Sequence, residues 1–197
     1  MFRRLIEDAV AASGRCRILD IGGTRTYWDV FASHLEWERV EVTIANLNRE
    51  GDRPPKIRSV IGDGRNLSQF PDGHFDIVHS NSVIEHVGRW CDMQRMANEI
   101  RRLAPEYFVQ TPYFWFPFDP HTRTPLFHWM PDQMRYRIAM MKDCGAWKRC
   151  KTIGDAMRIA DDARLLDWRQ MNYLFPDAEI VRERAFGMTK SLIAIRH

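Results

Sequence analysis

The chain has 197 residues, 45% of them hydrophobic, with 29 basic and 26 acidic residues and a formal charge of +3. That length and apolar content exclude a disordered chain and allow one substantial core, while interleaved charges of nearly equal number argue against a nucleic-acid-binding protein. Four scattered cysteines, Cys16, Cys91, Cys144 and Cys150, have neither zinc-finger spacing nor the density of a secreted disulfide scaffold, so reduced buried thiols are expected.

The elements follow in chain order. Phe2, Leu5, Ile6, Ala9 and Val10 recur at helical spacing and predict a helix over 2–12, closed by Ser13-Gly14. Glu7 and Asp8 fall where a secretory leader needs its apolar centre, and no run reaches the ~18 apolar residues of a membrane span. A soluble, cytoplasmic protein without a membrane span is the expectation. Short apolar runs come next, at RILDI (17–21), VEVTIAN (40–46), IRSVIGD (57–63), FDIVHSN (75–81) and EYFVQT (106–111). Between them lie a helix near 26–36, a polar turn at 49–56, and a helix near 89–103 carrying Met93, Met96, Ile100 and Leu103. Runs this continuous in Ile and Val belong to a parallel sheet covered on both faces, which is a doubly wound α/β pattern.

From Pro112 to Pro131 the chain reads PYFWFPFDPHTRTPLFHWMP. So many prolines remove donors and fix φ, so the segment is expected to be a long shaped loop. Helical patterns resume at 132–144 and 153–168. Two last runs, 178–186 and 189–197, read as strands joined at Gly187-Met188, and so short a link makes the pair antiparallel. The count is seven strands, mostly parallel, with an antiparallel closing strand. One domain over 1–197 is expected: an N-terminal helix to 14, a first half over 15–112, an insertion over 113–175 and closing strands over 176–197.

The run RILDIGG places Asp20, Gly22 and Gly23 at a strand tip. In an open parallel sheet, ligands bind beyond the carboxyl ends of the strands, where glycines let the backbone pass close and the next helix presents free N–H groups. Alone, the stretch reads equally well as a tight turn with a capping acid. Later strand tips supply matching pieces: Asn46-Leu47-Asn48, Gly62-Asp63-Gly64, the run Phe70-Pro71-Asp72-Gly73-His74-Phe75-Asp76, and Asn81-Ser82-Val83-Ile84-Glu85-His86-Val87. In this order the motifs resemble those of the small class I S-adenosylmethionine-dependent methyltransferases, over roughly residues 15–112.

The resemblance implies S-adenosylmethionine as cofactor, with Asp20, Gly22 and Gly23 bordering its methionine part. It implies Asn46 facing the ribose hydroxyls, Leu47 against the adenine, Asp63 accepting from the adenine amino group and the Gly64 N–H reaching a ring nitrogen. Asn81 would touch the amino-acid end, with Ser82 and His86 near the cleft. Two positions depart from the family pattern. Gly22-Gly23-Thr24-Arg25-Thr26 stands in place of GxGxG, and Asn46 replaces the usual ribose acid, giving up a charge-assisted bond.

Methyl transfer needs the acceptor aligned with the methyl group, and an alcohol or phenol acceptor must also lose its proton, which histidine takes up well near neutral pH. His121 and His128 are therefore the candidate catalytic bases, with Asp119 as a possible partner and Tyr113, Phe114, Trp115 and Trp129 as candidate acceptor walls. Histidines in an aromatic loop also read as structural groups, His86 can simply bond a nearby backbone group, and the aromatics read as lid or core packing. Asp119, His121 and His128 show no HxH or HExxH spacing, so no dedicated metal site is expected. The expected acceptor is a small molecule or glycan, methylated on oxygen or nitrogen. Methylation of protein or RNA, a non-catalytic relative acting as a partner-binding module, and a nicotinamide-binding Rossmann protein are the alternatives. The last lacks GxGxxG and an acid at residue 46.

Overall fold

A computed structural model describes residues 1–31, 35–48 and 57–197. The polar turn expected at 49–56 lies outside the described residues, as does part of the helix expected at 26–36. Seven strands form one sheet: β1 (Cys16–Ile21), β2 (Val40–Asn46), β3 (Ile57–Ile61), β4 (Ile77–Asn81), β5 (Glu106–Pro112), β6 (Glu179–Ala185) and β7 (Met188–Arg196). Their spatial order is β3-β2-β1-β4-β5-β7-β6, with β7 antiparallel to both β5 and β6 and every other pairing parallel.

Helices cover both faces because the strands bury side chains on both sides. On one face α1 (Phe2–Ser13) and α2 (Arg25–Phe31) seat Phe2, Leu5, Ile6 and Trp28 against Ile18, Val42, Ile44, Ile77 and Phe108. On the other, α3 (Trp90–Leu103) and α6 (Trp168–Leu174) bring Met93, Met96, Ile100, Met171 and Leu174 onto Leu19, Val78, Tyr107 and Val109. Between α3 and α6 lie α4 (Asp132–Met141) and α5 (Ile153–Asp161), whose small core of Phe127, Ala139, Cys144, Ala156 and Ile159 is separate from both sheet cores.

Three expectations need correction. The helix expected over 153–168 ends at Asp161, and a further helix, α6, starts at Trp168, where Asp167 caps it: its carboxylate accepts from Gln170 N at 2.8 Å and Gln170 Oε1 accepts from Asp167 N at 2.9 Å. The closing hairpin turns at Phe186-Gly187, one residue earlier than expected, with both residues at positive φ (52° and 77°) as a tight two-residue turn requires. All four thiols are free, but Cys91 is exposed and Cys150 half-buried, so only Cys16 and Cys144 fit the buried reading. Among the described residues, no helix is long and apolar enough to cross a membrane.

Candidate active site

In this sheet β2 and β3 run outward from β1 on one side and β4 and β5 on the other, so a crevice opens beyond the tips of β1 and β4. A cavity of about 290 Å³ occupies the β2 side, lined by Gly22, Asn46, Leu47, Asp63, Gly64 and His86, with Ile21, Val83 and Val87 supplying apolar walls. Six of the ten residues expected at the cofactor are thus gathered in one cleft. Asn46 Nδ2 donates to the Gly23 carbonyl at 2.8 Å, which ties the glycine turn to the tip of β2 and leaves the amide oxygen to accept a hydroxyl. Asp63 borders the cleft, but Arg65 already bridges its carboxylate, with Nη2 at 2.6 Å from Oδ2 and Nε at 2.9 Å from Oδ1. That guanidinium holds the Asp63 carboxyl below the usual carboxylate range. Arg65 also donates to the Val87 carbonyl at 3.2 Å, fastening the cleft's two rims together.

Asp20 and Gly23 are placed differently from the expectation. Asp20 is fully buried and turned to the α1/α2 face of the sheet, where Trp28 Nε1 donates to Oδ2 at 2.6 Å and His79 Nδ1 donates to Oδ1 at 2.8 Å. Its oxygens therefore face protein donors, and no lining residue of the cleft carries them. A Cβ built on Gly23 would stand 1.6 Å from Asp20 Oδ2, so this glycine makes room for the buried carboxylate. Gly22, at φ 73°, makes room for Val83, whose Cγ2 would meet a Cβ at 2.5 Å.

Asn81 and Ser82 border a second, larger cavity of about 640 Å³ over the tips of β4, β5 and β7. Ser82 sits at φ 56°, an unusual conformation for a residue with a side chain, and its hydroxyl lies 3.0 Å from Gln110 Oε1. Because Val83 lines the cleft and Ser82 this cavity, the two spaces meet at the end of β4. Tyr113, Phe116, Phe118, Arg123, Glu183 and Lys190 wall it, so of the four aromatics expected there only Tyr113 takes part. Phe114 and His128 line a separate cavity of about 320 Å³ beneath the insertion, while Trp115 and Trp129 are exposed.

Neither candidate base reaches the larger cavity. His128 Nε2 donates to the Phe114 carbonyl at 2.8 Å and clips the aromatic loop to itself, away from the lining of this cavity. His121 instead meets His86, Nε2 to Nε2 at 3.0 Å, beside the buried Glu85. Burial pulls the His121 pKa down, but the Asp119 and Glu85 carboxylates override it and lift the imidazole to about 9.

The group that does face the cavity is Tyr27, on α2. Its hydroxyl lies 3.3 Å from His79 Nε2, whose Nδ1 is held by Asp20. Since a carboxylate only accepts, Nδ1 carries the proton, Nε2 is the free acceptor, and the chain of groups runs Asp20, His79, Tyr27. Phe2 stacks on the imidazole at 4.3 Å and Phe108 at 5.7 Å, sealing it from water. Burial, reinforced by Asp20, pushes the Tyr27 phenol up to about 12, so it is protonated at neutral pH. Sequence reasoning missed both residues. The available signal was that a histidine inside an otherwise apolar strand pairs, in register, with an aspartate inside its neighbour: Asp20 opposite His79.

Comparison with known proteins adds the chemistry. The family described as "Methyltransferase domain" matches residues 18–106, the segment that builds the cleft. Residues 18–106 thus match a methyltransferase domain, and the S-adenosylmethionine-dependent class this match points to implies S-adenosylmethionine as the cofactor. No curated protein matches the sequence. Among solved structures, a SAM-dependent methyltransferase from Methanosarcina mazei is similar at 15% identity and TM-score 0.55, over 92% of this chain and 91% of that one. One from Aquifex aeolicus is similar at 10% identity and TM-score 0.52, over 92% and 81%. A protein described as a putative Zn-dependent alcohol dehydrogenase from Rhodobacter sphaeroides is similar at 14% identity and TM-score 0.59, over 93% and 84%. At these identities the likeness speaks for the fold.

Proposed function

We propose that the domain methylates an oxygen or nitrogen of a small molecule or glycan held in the 640 Å³ cavity. The observation that carries this reading is the junction at the end of β4, where a concave aromatic and polar space of small-ligand size adjoins the cleft whose lining suits the cofactor. S-adenosylmethionine supplies an already activated methyl group. The donor set of the cleft suits it: apolar Leu47, Val83 and Val87 for the adenine, the Asn46 amide oxygen for a ribose hydroxyl, and Asp63 with the Gly64 N–H for the base edge.

The protein's remaining work is to orient the acceptor and take up its proton. Tyr27 accepts a hydrogen bond from the acceptor's O–H or N–H while its own hydroxyl donates to His79 Nε2. As the acceptor is methylated, its proton passes to the Tyr27 oxygen and the phenol proton passes to His79. Asp20 then stabilises the imidazolium, the role a buried aspartate plays behind the histidine of a serine hydrolase. Lys190 and Arg123 at the far wall favour an acceptor carrying hydroxyl, phosphate or carboxylate groups.

The test is labelled methyl transfer from S-adenosylmethionine into a fractionated extract. Label is expected in the small-molecule or glycan fraction, and label confined to protein or RNA would overturn the assignment. Calorimetric titration with S-adenosylhomocysteine checks the cleft separately, with saturable binding expected and weakened in Asn46→Ala.

A further inference from the structure

Where the cofactor side meets the insertion, Glu85 and His86 on a 3-10 turn after β4 (Ile84–His86) face His121 from the loop after β5. We propose that Glu85, His86 and His121 form a binding site for one divalent transition-metal ion of the zinc, cobalt or iron kind.

The hydrogen-bond inventory motivates it. His86 Nδ1 lies 2.9 Å from the Asp162 carbonyl, an acceptor, so Nδ1 carries the proton and Nε2 presents a lone pair. His121 Nδ1 lies 3.4 Å from the Asp119 carboxylate without a formed hydrogen bond, and a proton on Nδ1 faces that charge, which leaves a lone pair for Nε2. Glu85 Oε2 accepts from Thr111 Oγ1 at 2.9 Å, while Oε1 is buried without a hydrogen-bond partner on a residue only 1% exposed. Once His121 gives up the second proton that Asp119 and Glu85 favour on it, three acceptor atoms converge with no donor among them. A shared proton between the imidazoles satisfies them but leaves Oε1 stranded at 3.7 and 3.9 Å, and an unpaired buried carboxylate oxygen is costly.

A metal ion satisfies all three. Atoms separated by 3.0, 3.7 and 3.9 Å share a point roughly 2.1 Å from each, the length of a zinc bond to imidazole nitrogen or carboxylate oxygen. Two of the ligands have the hydrogen-bonded outer partner that metal ligands use to fix orientation, Asp162 behind His86 and Thr111 behind Glu85, and the Asp119 carboxylate stands 3.4 Å behind His121. Two imidazoles with one carboxylate favour borderline transition metals over magnesium or calcium, and three protein ligands leave a position for water.

The ion would do structural work at the centre of the site. His86, Val83 and Val87 wall the cofactor cleft, whereas Phe118, Pro120 and Arg123, on either side of His121, wall the acceptor cavity. Coordination would fix one wall against the other, as a single crosslink between segments 35 residues apart. The site borders the proposed cofactor cleft but does not depend on the methyl acceptor.

The experiment uses the full chain stripped with a chelator, then titrated with Zn²⁺ and Co²⁺ by calorimetry, with Mg²⁺ as the control and the Co²⁺ visible spectrum as the report on coordination. One ion per chain is expected for Zn²⁺ and Co²⁺, with a rise in the melting midpoint and no response to Mg²⁺. Glu85→Gln, which keeps the shape and the Thr111 contact, and His121→Ala should each weaken Zn²⁺ at least about tenfold. No stoichiometric Zn²⁺ or Co²⁺ binding to the wild-type chain, or unchanged affinity in folded Glu85→Gln, overturns the site and leaves a proton-sharing histidine pair. Titration of the same samples with S-adenosylhomocysteine keeps the result separate from that of the methyltransferase reading.

Discussion

At the scale of single residues, the proposed proton relay rests on the fully buried Asp20. It holds two donors, Trp28 and His79, and through His79 reaches the hydroxyl of Tyr27 at the acceptor cavity. Tyr27→Phe removes only that hydroxyl, so transfer turnover should fall about 10²-fold, the contribution of a positioned proton acceptor, with S-adenosylhomocysteine affinity unchanged. Single-turnover rates and calorimetry on the same variant check both halves, and full turnover would remove the relay from the mechanism. Gly23 gives a stability counterpart. Gly23→Ala drives a methyl group into Asp20 Oδ2, displacing a carboxylate with two buried bonds, and a loss of about 2–4 kcal/mol is expected from the urea midpoint. The strand-tip residues of the cleft were legible through the resemblance to a known family, whose motifs fall just past the ends of parallel strands. The relay was not, since which face of the sheet Asp20 points to depends on the packing of Trp28 and His79, which no local pattern states.

At the scale of elements, α3 is fastened to the preceding loop by Arg102. Its guanidinium donates to Glu99 at 2.8 Å, to Asp72 at 2.8 Å and to the carbonyls of Phe70 and Leu67, while Glu99 Oε2 accepts from Leu67 N at 2.7 Å. This network closes the segment between β3 and β4 over the core. Arg102, more than the Leu67 N–H, holds the Glu99 carboxyl below its ordinary range. A folded pKa lower than the unfolded one contributes stability that is fully present above about pH 5 and is lost as pH falls through about 4 toward the folded value. Urea midpoints measured from about pH 6 down to 3 should therefore fall less steeply in Glu99→Gln than in the wild type, with the variant the weaker of the two at neutral pH. Parallel curves would show that the Glu99 carboxyl is not depressed. The periodicity of 89–103 located this helix directly. It carried α5 on to 168 because Ile159, Leu165 and Leu166 keep an apolar rhythm past Asp161, and it missed α6 although Asp167 and Gln170 at capping-box spacing marked its start.

For the whole molecule, the doubly wound order follows from strands that are apolar on both faces, each buried by a helix layer, and it was readable because that continuity needs no tertiary information. The insertion was not readable in the same way. Its prolines excluded regular structure without saying what replaces it, and its aromatic residues divide among a cavity wall, a private core and solvent. Packing in three clusters has a dynamic consequence. α4 and α5 pack mainly on each other around Phe127, Ala139, Cys144, Ala156 and Ile159, and Arg135 pins them by donating to the Ala160 carbonyl at 2.6 Å. A unit with so few buried groups opens at lower free energy than a sheet buried on both faces. Amide exchange should therefore proceed first through 132–161, with β1, β4 and β5 exchanging last and near the global unfolding free energy. Equal protection in the two regions would show that the insertion is part of the sheet's cooperative unit. Because one wall of the proposed acceptor cavity, with Phe116, Phe118 and Arg123, comes from the loop leading into this unit while the rest stands on the sheet and α2, an acceptor or its analogue should slow exchange in 113–131 more than in the sheet, whereas S-adenosylhomocysteine should act chiefly at the tips of β1 to β4.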